Sequence, residues 1–179
     1  TMPDAELRRL ADAGQLRANL AGQVRRMIAD PKFDALVENF GDQWLQIRNL
    51  DTISVDRKRF PAWSSELKEA MREESRQYLG HVMRSDASLF ELLHSDYTFL
   101  NERLAKHYGL GGVKGDEFRR VSLGDNRRGG VLTQASVLTI TSSPTRTSPV
   151  KRGKWIMEQI LGTEPPPPPA NVEELKEDG

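Results

Sequence analysis

Apolar side chains recur every three or four residues through most of the first 108 positions, and that spacing constrains the fold more than any other feature. A repeat near 3.6 residues gathers such side chains on one face of a helix. Leu16, Leu20, Val24, Met27 and Ile28 follow it. So do Phe33, Leu36, Val37, Phe40, Trp44, Leu45 and Ile47. The pattern predicts helices over Asp4–Ala13, stopped by Gly14, over Leu16–Asp30 and over Lys32–Arg48. Pro31 separates the second from the third, because the residue before a proline is pushed out of the helical region. After a loop from Asn49 to Pro61, Ser64 or Ser65 is placed to cap a long helix to Arg84. Its stripe is Leu67, Ala70, Met71, Tyr78, Leu79 and Val82. Asp86 is read as the cap of a short helix through Leu93, and Thr98–Tyr108 as a further helix, with Asp96-Tyr97 at its start and a left-handed cap at Gly109.

Beyond Gly109 the texture changes. Gly111, Gly112 and Gly115 make a turn-rich connector, and Glu117–Leu123 alternates like a short strand. Gly124-Asp125-Asn126 reads as a turn. Val131–Ile140 reads as a helix that frays near Thr139. Ser148-Pro149 is a cap followed by proline at the first helical position, opening a helix to Leu161 that ends at Gly162. Pro165–Pro169 can form only an extended polyproline rod of about 15 Å, and the acidic tail Glu173–Gly179 is expected to be mobile. No internal repeat and no alternating strand–helix pattern appears. The expected fold is mainly α, an irregular, orthogonal array of seven or eight helices with at most a short β element near residues 117–123.

Composition excludes several classes of function. The 179 residues contain no cysteine, which removes disulfides, thiolate metal sites, thiol catalysis and covalent c-type haem attachment within this chain. No apolar run approaches the ~20 residues of a membrane span. The start, Thr1-Met2-Pro3-Asp4, is unlike a signal peptide and is read as a fragment boundary.

Charge is balanced overall, with 26 bases and 26 acids, yet it is unevenly placed. Between Asp125 and Glu158 there is no acid, while Arg127, Arg128, Arg146, Lys151, Arg152 and Lys154 all fall there, among seven hydroxyl residues from Thr139 to Ser148. Cations in the first turn of a helix are unfavourable unless an anion joins them, and free N–H groups at that end favour one. Arg128, Arg146, Thr147, Ser148, Lys151 and Arg152 are therefore candidate anion-binding residues. The competing role is docking, in which these bases pair with the acidic helices, and the overall charge balance favours it. Arg128-Gly129-Gly130 reads as a turn. His107, at a helix C-terminus beside Tyr108, is a secondary candidate. His81, His94 and His107 match no metal-binding spacing, so no metal site is expected. Glu73 and Glu74 are adjacent on a helix and are read as a solvated face. Trp44, Trp63 and Trp155 are read as core. No Ser-His-Asp, HExxH or phosphate-loop motif is present, and nucleic acid is not an expected partner.

Three runs carry a resemblance: FGDQWLQIRNLD from Phe40 to Asp51, LLHSDYTFLNERLAKHYGL from Leu92 to Leu110, and TSPVKRG from Thr147 to Gly153, which precedes Trp155 and the polyproline. From about Gln23 to Val172 the chain resembles the consecutive domains of unknown function DUF1592 and DUF1588. The resemblance implies a DUF1592-like helical region over 1–110, a DUF1588-like basic region over 115–172 packed on it, and a polyproline linker with acidic tail over 163–179. It also implies a setting, that of large exported planctomycete-type proteins with c-type cytochrome modules, and hence an extracytoplasmic location. Haem is expected only in neighbouring modules, and no cofactor in this chain. The expected function is an interaction or scaffold module presenting the basic segment to a neighbouring domain, a small anion or an acidic glycan. The alternative is part of an enzyme acting on an acidic or sulfated carbohydrate, or in redox chemistry with an adjacent haem. Whether a reaction belongs to this chain stays open, and no catalytic residue is assigned.

Overall fold

The computed structural model describes residues 2–124 and 127–167. Seven α-helices are present among them: α1 Ala5–Asp12, α2 Leu20–Ala29, α3 Asp34–Trp44, α4 Ser65–Arg84, α5 Glu102–Tyr108, α6 Ala135–Ile140 and α7 Pro149–Trp155. Among the described residues the strands are one antiparallel pair, β1 Tyr97–Leu100 with β2 Arg119–Ser122, in a register that sets Tyr97 opposite Ser122 and Leu100 opposite Arg119. The mainly helical expectation holds, with its short β element in place.

The long helix α4 organises the core. The Ser64 hydroxyl accepts from the Leu67 N–H and caps it, as expected. One face, including Leu67, Met71, Tyr78 and Leu79, is buried. α3 packs against it closely at Gly41, where a Cβ would stand 2.6 Å from Leu79 Cδ2. The same buried cluster takes in Leu100 and Leu104 from β1 and α5, and Ala135, Val137 and Trp155 from α6 and α7. The Trp44 indole N–H donates to the Gln159 carbonyl at 2.7 Å, joining the end of α3 to the helical turn that continues α7. Trp155 is core, as expected; Trp44 and Trp63 pack on it half-buried.

Several local expectations are corrected. Thr98–Tyr108 is not one helix. Residues 97–100 pair with β2, and Asn101 caps α5 by accepting from the Leu104 N–H at 3.0 Å. Gln46 takes a left-handed φ of 56° and ends the third helix, after which Ile47–Asp51 is a 3-10 turn. Leu16 to Asn19 form turns, so the second helix starts at Leu20. Ser88, not Asp86, caps the 3-10 turn Leu89–Leu92. Val131–Thr133 is 3-10, and Gln134 is extended before α6 begins. The Gly109 cap and the Ser148-Pro149 start of α7 are as expected. Gly130 has φ +68°, and a Cβ there would meet the Leu93 backbone at 2.5 Å, so the Arg128-Gly129-Gly130 turn exists to bring two backbones together. Asp125-Asn126, the last two prolines of the expected rod and the acidic tail lie outside the described residues.

Candidate functional site

Two loops and residues of α4, α5, α6 and α7 line a cleft of about 500 Å³. One wall is the tight hairpin after α6. Ser142 bridges Thr147, and the Ser143 N–H donates to the Arg146 carbonyl at 2.9 Å, so the chain reverses over Pro144-Thr145. The other wall is the segment from Ile53 to Trp63. It is tied to the hairpin at both chain levels: the Asp56 N–H donates to the Pro144 carbonyl at 3.1 Å, and the Arg59 guanidinium to the Thr145 carbonyl at 3.4 Å. Leu67 and Met71 of α4 and Leu138 and Thr139 of α6 form the floor.

Three guanidinium-bearing residues, Arg59, Arg146 and Arg152, line this cleft with His107, and no Asp or Glu does. Arg152 Nε donates to the Thr141 hydroxyl at 3.3 Å. Among the described residues none of Arg59, Arg146, Lys151 and Arg152 forms an ion pair; the ion pairs lie mostly in the first 114 residues, as between Arg76 and Asp42 or Arg72 and Asp51. The basic segment contributes Lys154 to Glu158, one turn apart on the same helical stretch.

Of the sequence candidates, Arg146, Thr147, Arg152 and His107 are brought together in this cleft. Ser148 serves as the α7 cap, accepting from the Lys151 N–H at 3.3 Å, and the Lys151 side chain is exposed. Arg128 is elsewhere. Its guanidinium lies 3.9 Å from the Tyr108 ring centroid and donates to the Thr133 carbonyl at 3.0 Å. It lines a neighbouring cleft of about 420 Å³ that shares Arg152 and Leu138 with the first. His107 is held toward its neutral form by burial and then by the Arg128 charge.

Glu74, expected on a solvated face, is 1% exposed. Its carboxylate accepts from the Thr98 hydroxyl at 2.6 Å and from the Tyr108 hydroxyl at 2.5 Å, and the Tyr108 oxygen in turn accepts from the Ala135 N–H at 2.7 Å. Burial lifts Glu74 from its ordinary 4.5 to about 7, against the opposing pull of those hydrogen bonds and of Arg128. Burial and the adjacent carboxylate also raise Tyr108 well above the usual phenol range. The signal was available in the stripe itself. Met71 and Tyr78 bracket a gap one turn from each, and Glu74 and Ser75 occupy it.

Residues 1–110 match the family model PSD4, described as a protein of unknown function (DUF1592). Residues 128–179 match PSCyt3, described as a protein of unknown function (DUF1588). No curated protein and no solved structure matches.

Proposed function

The chain belongs to the DUF1592 family of proteins of unknown function, and from that premise we propose that it is a non-catalytic binding module whose basic cleft takes an anionic ligand. One observation carries the proposal: Arg59, Arg146 and Arg152 share a cleft with no carboxylate among its lining residues and no ion pair of their own among the described residues. Like charges gathered over a partly apolar floor repel one another, and an anion held by guanidinium forks relieves that repulsion. The hydroxyl of Thr147 and the hairpin beside it supply further donors. In this proposal the module sits in a larger exported protein, haem belongs to neighbouring c-type modules, and the polyproline leads toward the next one.

An enzymatic role has one observation in its favour. His107, held toward its neutral form by burial, lines the same cleft as the three arginines. Among the described residues its side chain forms no hydrogen bond to a carboxylate or a hydroxyl, which is why binding is preferred.

The test is thermal unfolding in sulfate against chloride at matched ionic strength, for the wild type and the Arg146→Gln/Arg152→Gln double variant. Sulfate stabilises many proteins through general exclusion, so the variant is the control. A saturable stabilisation seen only in the wild type is expected. Equal shifts in both proteins overturn the proposal.

A further inference from the structure

We infer that the ligand of this cleft is an amphipathic anion, a carboxylate or sulfonate on a flat apolar or aromatic body, rather than an acidic sugar. The inference rests on the anion-binding proposal and goes beyond it by fixing the chemistry of the other end of the ligand.

The cleft is asymmetric. Arg146, Thr147 and Arg152 come from the hairpin and α7, while the facing segment brings Ile53, Val55, Phe60 and Trp63 with Arg59, whose guanidinium is turned to the Thr145 carbonyl, and the floor brings Leu67 and Met71. Phe60 is 46% exposed, an aromatic ring left open to solvent on the cleft wall. At about 500 Å³ the space lies in the range of small-molecule sites, whose walls are mostly apolar with a few fixed polar groups. Binding there would remove apolar surface from water on both ligand and wall.

Sugar recognition makes different demands. A pyranose presents a ring of vicinal hydroxyls, each both donor and acceptor, and leaving any of them unpaired on burial is costly. Carboxylate and amide side chains satisfy such pairs, because they present two polar atoms in one plane. No Asp, Glu, Asn or Gln lines this cleft. Part of the hydroxyl set is also already committed. Ser142 donates to the Leu138 carbonyl at 2.7 Å, and Thr139 is turned to the Met71 sulfur at 3.8 Å. The groups that remain suit one compact anionic head and a body without hydroxyls.

The experiment is isothermal titration of the whole chain with 2-naphthoate, its neutral counterpart 2-naphthamide, and galacturonate. Phe60→Ser, at an exposed position, and Arg146→Gln, at a half-buried one, serve as variants, with circular dichroism to check that both fold. The expected result is saturable binding of 2-naphthoate, weakened about tenfold or more for 2-naphthamide and for either variant. If galacturonate binds more tightly than 2-naphthoate and Phe60→Ser leaves it unchanged, the amphipathic class is wrong while the anion cleft stands. Equal binding of 2-naphthoate and 2-naphthamide overturns the anionic head, and with it the function proposed above. Failure of both 2-naphthoate and galacturonate to bind, together with no sulfate effect, overturns both.

Discussion

Glu74 is the residue at which burial and charge conflict most directly. Its folded pKa, about 7, lies above the ordinary 4.5, so the folded state holds the proton more tightly than the unfolded chain does. The stability it contributes is therefore full below about pH 4.5 and is lost as pH rises through about 7. That interval corresponds to on the order of 3 kcal/mol. His107 acts in the opposite sense, because its lowered pKa favours the folded state above its ordinary 6.5. Glu102 and Asp4, lowered to about 2, lose their contributions only at pH values below this window. Comparing Glu74→Gln with the wild type isolates the one group. Urea midpoints should fall between pH 5 and pH 8 in the wild type and fall markedly less in the variant; parallel slopes would show that Glu74 does not titrate there. Taken together as an adjacent pair, Glu73 and Glu74 point apart on the helix and read as a solvated face. The helical stripe around them, Met71 and Tyr78, already placed Glu74 on the buried side.

At the level of elements, boundaries set by a local hydrogen bond or a single backbone requirement were legible. Ser64, Ser148-Pro149 and Gly109 each act within one turn of their own position, and each is where the sequence placed it. Elements decided by distant partners were not. Thr98 and Phe99 suit either helix or strand, and the choice falls to β2, some twenty residues onward, which offers the antiparallel edge. The glycines follow the same division. A Cβ at Gly41 would press on the end of the Leu79 side chain, which can turn aside, whereas one at Gly130 would strike the Leu93 backbone and also sit at positive φ. Gly130→Ala should therefore destabilise by about 2 kcal/mol or more. Gly41→Ala should cost less, within the 1–3 kcal/mol typical of overpacking. Urea denaturation of the two variants side by side checks the order, and a Gly41→Ala cost exceeding that of Gly130→Ala would contradict it.

Across the whole molecule, charge asymmetry was readable from the sequence, but the placement of its side chains was not. Composition favoured docking of the basic segment onto acidic helices. Among the described residues, Asp51 pairs with Lys68 and Arg72 of its own region, and Arg146 and Arg152 line a cleft. The two family-matched segments are joined by burial and by several hydrogen bonds, among them Trp44 to Gln159 and Ser75 to Gln134, and at the centre by one polar chain. Tyr108, from the first, donates to Glu74 and accepts from Ala135 of the second, with Arg128 over its ring. Tyr108→Phe removes the hydroxyl and leaves a buried carboxylate oxygen and a buried N–H without that partner, a loss of about 2–5 kcal/mol. Because Tyr78, Leu104, Val137 and Trp155 belong to one buried cluster, the loss should be shared by the whole molecule. The variant should unfold in a single urea transition, at a lower midpoint and with an unchanged slope. Two separated transitions, with the second segment melting first, would instead show that the segments keep independent cores and that Tyr108 merely fastens one to the other.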